Sequence, residues 1–225
     1  MRIIHLTDPH LTTLPSFAAG RFLFNKRFLG AISWSRRQKH HLRSQLDLLV
    51  EDIRSEAPDL IICTGDLVQI GTKREIIQAK EWLDELANIC RVILVPGNHD
   101  CYQQESFQLI MKHWAPYFFQ EGQKAQGFPS VFQHQGITFI GLCSAQAEPF
   151  WSARGLLGGE QLEKLKSILR MKQGLRIPTV PSHRSARRDD RVPAARARPA
   201  LSGPGFQALC VERVIAAQHS DVLAV

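Results

Sequence analysis

A chain of 225 residues with 44% apolar and 22% charged side chains can bury a sizeable core and has the balance of a soluble globular protein. No run nears the roughly 18 apolar residues of a membrane span, and the start, MRIIHLTDPH, lacks the apolar core and cleavage site of a secretory signal, so a cytoplasmic protein is expected. The net charge of +7 arises between Arg170 and Arg198, where nine basic residues meet two acidic ones with no aromatic side chain among them for stacking on bases, so nucleic acid is not an expected partner.

RIIHLT, from Arg2 to Thr7, is short, apolar and β-branched, and reads as a strand buried on both faces. It runs into TDPH, which carries Asp8 and His10. An insertion follows over 20–41, where Phe22, Phe24, Phe28, Leu29, Ile32 and Trp34 alternate with Arg21, Lys26, Arg27, Arg36, Arg37 and Lys39. That mixture suits peripheral contact with an anionic membrane surface, a cap over a substrate entrance, or packing on its own domain. Leu42, Leu46, Leu49 and Ile53 then form one helical stripe ending before Pro58. LIICTG, at Leu60 to Gly65, is a second buried strand and leads into Asp66. Thr72 and Glu75 fit a capping box, opening a helix through Ile76, Trp82, Leu83 and Leu86.

RVILVP, at Arg91 to Pro96, is a third buried strand, and a Pro-Gly break then sets Asn98, His99 and Asp100 side by side. The alternation of strand and helix predicts an α/β sheet. SVFQH and ITFIGLCS, joined through Gln135-Gly136, predict a β-hairpin. GGEQLEKLKSILRM predicts an amphipathic helix through Leu162, Leu165 and Leu169. Beyond Leu175 the chain becomes rich in Pro and Arg and loses any apolar period, which reads as a linker or tail. ERVIAAQHSDVLAV resumes as a helix-like turn and a strand-like ending. The five cysteines form no C-x-x-C pair, and those beside apolar runs are expected to be buried free thiols.

Three strands therefore end in polar groups, and in an open α/β sheet ligands collect beyond the carboxyl ends of strands. Asp8, His10, Asp66, Asn98 and His99 are predicted to converge there, with Gly65 and Gly97 allowing sharp turns and close approach. Carboxylate, imidazole and amide oxygen suit Mn, Fe or Zn as divalent ions. A carboxylate shared by two such ions would hold them roughly 3.5–4 Å apart and let a bridging water lose its proton near neutral pH. Asp66 is the candidate for that bridge.

DPH, GDL and GNHD, in this order after three strands, resemble the first three motif blocks of the calcineurin-like metallophosphoesterases. GLLGGEQLEKLKSIL also resembles the helix before that family's fourth block. The resemblance implies an α/β fold, a metallophosphoesterase-like β-sandwich flanked by helices, with its C-terminal part incomplete. It further implies two divalent metal ions. Asp8, His10 and Asp66 would hold the first, and Asp66 and Asn98 the second. His99 would face the phosphate and protonate the leaving oxygen, and Asp100 would accept a hydrogen bond from His99 and fix its tautomer. The substrate would be a phosphate ester or nucleotide, with a phosphodiester favoured over a monoester.

Two family blocks are damaged. His183 is the one nearby candidate for a lone histidine ligand, in a stretch interrupted by prolines, and no G-H-x-H is present. Residues 1–176 are accordingly expected to form an incomplete catalytic core, and 177–225 an atypical segment from a frameshifted or truncated reading. The competing expectation is a family-like fold kept for binding alone, without catalysis.

Overall fold

The computed structural model describes residues 1–11, 43–119, 127–149 and 154–171, together with the backbone of two short strands near the C-terminus. The expected insertion over 20–41 and His183 lie outside the described residues. Strands β1 (Ile3–Leu6), β2 (Leu60–Cys63) and β3 (Arg91–Leu94) form a parallel set in the order β3-β2-β1. Helix α1 (Arg43–Glu56) connects β1 to β2, and α2 (Lys73–Ala87) connects β2 to β3. After β3 come α3 (Gln104–His113) and the short α4 (Ala115–Phe118). The second sheet begins with the antiparallel hairpin of β4 (Ser130–His134) and β5 (Ile137–Gly141). Helix α5 (Gly159–Met171) follows.

The continuous apolar runs of β1, β2 and β3 reflect burial on both faces. Ile4, Leu6, Ile61, Cys63, Val92 and Leu94 face a core shared with the helices. Their neighbours Ile3, Leu60, Ile62, Ile93 and Val95 point the other way, against Phe132, Ile137 and Phe139 of the second sheet. The strict period of two thus places one sheet between a helical layer and a second sheet. The hairpin turns on Gln135 and Gly136, both at positive φ (47° and 79°), as a two-residue connection matching strand twist requires.

Thr72 and Glu75 form the expected capping box, opening a helix that buries Ile76, Ala79, Trp82, Leu83 and Leu86. On α1 the most buried residues are Val50 and Ile53, with Leu49 packed beside them. Each sheet gains its last strand from the C-terminal stretch: β6 (Glu212–Val214) pairs antiparallel with β1, and β7 (Val222–Ala224) pairs parallel with β5. The expected helix-like turn is therefore corrected at its start, where Glu212–Val214 is a strand completing the hydrogen bonds of β1. Among the described residues no helix is long and apolar enough to cross a membrane.

Candidate metal centre and active site

Beyond the last residues of β1 and β2 the backbone stays paired. Asp8 N–H donates to the Gly65 carbonyl (3.1 Å), His10 N–H to the Asp66 carbonyl (3.1 Å) and Leu11 N–H to the Leu67 carbonyl (2.8 Å). The DPH and GDL turns are therefore fixed to each other before any side chain is considered. Asp8, His10 and Asp66 all have left-handed φ, at 56°, 43° and 54°. Such a conformation costs a non-glycine residue roughly 1–2 kcal/mol, and strain of this kind gathers at functional sites.

The three side chains meet: one donor atom from each of Asp8, His10 and Asp66 lies within 4.8 Å of the other two. His10 Nε2 stands 3.8 Å from Asp8 Oδ1, while its Nδ1 faces the Val68 carbonyl at 3.3 Å. A carbonyl only accepts, so Nδ1 carries the proton and Nε2 presents a lone pair on the carboxylate side. Two carboxylates and an imidazole so presented suit a divalent cation of the Mn, Fe or Zn type. These residues fit the metal that their types suggested.

The GNHD turn is held against this group. His99 N–H donates to Asp66 Oδ1 at 2.9 Å, and the His99 ring lies 5.1 Å from that of His10, edge to face. Asn98 occupies the adjoining position of the same turn, half-buried. Gly65 and Gly97 touch backbone to backbone: a Cβ on Gly65 would collide with Gly97 N, and one on Gly97 with the Asp66 carboxylate. Side chains at these positions would separate the two loops.

Asp100 takes a different role from the expected one. His99 Nδ1 meets the Gln69 carbonyl at 2.7 Å. The Asp100 carboxylate instead accepts from Gly97 N–H (2.8 Å), Asp66 N–H (2.8 Å) and Val68 N–H (3.1 Å). The physical reason is burial: Asp100 is wholly inaccessible, and buried backbone N–H groups of two tight turns need an acceptor. Burial, and then the nearby Asp66 charge, push the Asp100 pKa up to about 8, with the three N–H groups pulling the other way. Gln69 escapes a side-chain reading of the sequence because it acts through its backbone carbonyl.

His5 and the cysteines near these turns are not part of the Asp8, His10 and Asp66 cluster found among the described residues. His5 is buried in β1, and its Nε2 lies 2.8 Å from Thr64 Oγ1. Cys63 is buried with its thiol pushed up to about 12 by desolvation. Cys101 is hydrogen-bonded to Cys143, which holds its pKa above the ordinary thiol value, and it lies outside the donor cluster formed among the described residues. Cys63, Cys90, Cys101 and Cys143 are free thiols.

Comparison with known proteins gives the same family as the motifs. A probable cyclic nucleotide phosphodiesterase of Synechococcus sp. (strain ATCC 27144 / PCC 6301 / SAUG 1402/1) is 30% identical over 118 residues, which cover 52% of this chain and 40% of that protein. The chain thus matches less than half the length of this curated relative. The family model for calcineurin-like phosphoesterase matches residues 1–198. With most of its length matched and the Asp8, His10 and Asp66 donors assembled, the chain belongs to the calcineurin-like phosphoesterases.

Proposed function

We propose that this chain hydrolyses phosphodiesters, cyclic nucleotides among them, at a centre of two divalent metal ions. The observation that carries the reading is the meeting of Asp8, His10 and Asp66 within 4.8 Å of one another, with the His99 ring beside them. The phosphodiester preference is supported by the relative described as a probable cyclic nucleotide phosphodiesterase. Asp8, His10 and Asp66 would hold one ion, and Asp66 with Asn98 the other. His183 is retained as a further candidate ligand on the resemblance alone. When bound, such ions polarise a phosphoryl oxygen and acidify a coordinated water.

The chain's own residues supply orientation and a proton. The Gln69 carbonyl keeps a proton on His99 Nδ1, so proton exchange with substrate falls to Nε2. Protonated there, the imidazole neutralises charge on the phosphoryl oxygens and delivers its proton to the leaving oxygen. Asp100 holds the two loops in register through its three N–H bonds.

The test is hydrolysis of bis-p-nitrophenyl phosphate by the full chain with added Mn²⁺. Activity is expected, with loss of about 100-fold or more in His99→Ala, the size of a general-acid contribution, and loss of metal response in Asp66→Ala. Inactive but folded and metal-loaded protein would overturn the proposal in favour of a binding module.

A further inference from the structure

The loop from Gly65 to Gly71 presents carbonyls to both histidines of the site, and two buried carboxylates lie behind it, Asp100 on its first half and Glu75 on its second. Glu75 is 3% exposed. Its Oε2 accepts from Thr72 N–H (2.7 Å), as a capping box requires, and also from the Thr72 hydroxyl (2.8 Å). Its Oε1 does something a cap does not need: it accepts from Gln69 N–H (3.0 Å) and Ile70 N–H (3.2 Å).

Those two N–H groups belong to successive planar peptide units, and in a trans unit the carbonyl points opposite the N–H. The unit ending in Gln69 N–H begins with the Val68 carbonyl, which His10 Nδ1 faces at 3.3 Å. The unit ending in Ile70 N–H begins with the Gln69 carbonyl, which His99 Nδ1 meets at 2.7 Å. A single carboxylate oxygen therefore grips the far ends of both peptide planes that meet the two rings.

We propose that Glu75 is a positioning residue for His10 and His99 together, aiming the Val68 and Gln69 carbonyls through the two peptide units it holds. The proposal rests on the reading of His10 as a metal ligand and His99 as the acid. It assigns the glutamate of a helix cap to the site that the loop before it builds. Loss of Glu75 leaves both imidazoles without a fixed acceptor for Nδ1–H, so neither Nε2 is reliably presented.

The experiment uses the full chain labelled with ¹⁵N, metal-free and loaded with Zn²⁺, at one fixed pH. Ring N–H resonances of His10 and His99 and amide exchange at Gln69 and Ile70 are followed in Glu75→Ala, Glu75→Gln and Thr72→Ala. Glu75→Ala is expected to expose both amides to exchange, to abolish or shift both ring N–H signals, and to weaken Zn²⁺ binding by about tenfold, the low end for loss of a ligand-orienting partner. Thr72→Ala removes the cap hydroxyl and is expected to lower stability without moving either ring signal. Glu75→Gln keeps the volume and is used whether or not Glu75→Ala folds: if its amide oxygen retains the two N–H groups, the ring signals should stay in place.

Freed amides with unmoved ring signals would overturn the proposal. So would moved ring signals with the amides still protected, or an equal shift in Thr72→Ala. Failure of the functional reading is separable, since it shows as hydrolysis that survives His99→Ala, whatever the ring resonances do.

Discussion

Gly97 has no room for a side chain, because a methyl group there would meet the Asp66 carboxylate and backbone. Gly97→Ala is expected to displace Asp66, destabilise the chain by about 1–3 kcal/mol as extra volume forced into a packed site does, and reduce Mn²⁺-dependent turnover at least tenfold. Urea midpoints and the diesterase assay check the two parts. Asp100 carries a pH dependence. Its pKa rises from the ordinary 3.8 to about 8 on folding without metal, so the folded state binds the proton more tightly than the unfolded one. Its contribution to stability is full below pH about 4 and is lost as pH rises to about 8. The urea midpoint of chelator-treated protein should fall across that window, and Asp100→Asn should flatten the fall while lowering the midpoint throughout. The meeting of Asp8, His10 and Asp66 was legible in the sequence because each type is a natural metal donor and each follows a buried strand. The acceptor for His99 was not, since any residue at position 69 offers a carbonyl, and adjacency suggested Asp100 although its side chain turns back onto three N–H groups.

At the scale of elements, Tyr117 in α4 donates its hydroxyl to Asp84 of α2, which Lys80 also contacts at 2.6 Å. Burial alone would raise the Asp84 pKa, but the bonds from Lys80 and Tyr117 outweigh it and hold the carboxyl below its ordinary 3.8. A carboxylate so lowered stabilises the fold above pH about 4 and ceases to as pH falls further. Tyr117→Phe is expected to cost about 0.5–1.5 kcal/mol at pH 7, the net value of one hydrogen bond, and less at pH 3; denaturation at the two pH values measures both. The parallel strands were readable because β-branched runs such as LIIC at Leu60–Cys63 have nowhere to go but between two layers, and the α2 cap because Thr72 and Glu75 stand three apart. Strand β6 was not, because three residues carry no period of their own and their conformation is set by the edge of β1.

For the whole molecule, the parallel sheet lies between helices and a second sheet, and the turns that carry Asp8, His10, Asp66 and His99 follow β1, β2 and β3. A ligand that binds only the folded state stabilises it by about 2.7 kcal/mol at 100 times its Kd. Mn²⁺ or Zn²⁺ should therefore raise the melting temperature, EDTA should reverse the rise, and Asp8→Ala should abolish it. The contact of Gly65 with Gly97, and the single Asp100 oxygen shared by Gly97 and Asp66 N–H, bear on how the ion enters. Among the described residues those turns are already locked, so a cation held by Asp8, His10 and Asp66 has none of that chain to gather around itself. Titration calorimetry at several temperatures should then return a heat-capacity change near zero, the mark of an ion seated in finished architecture.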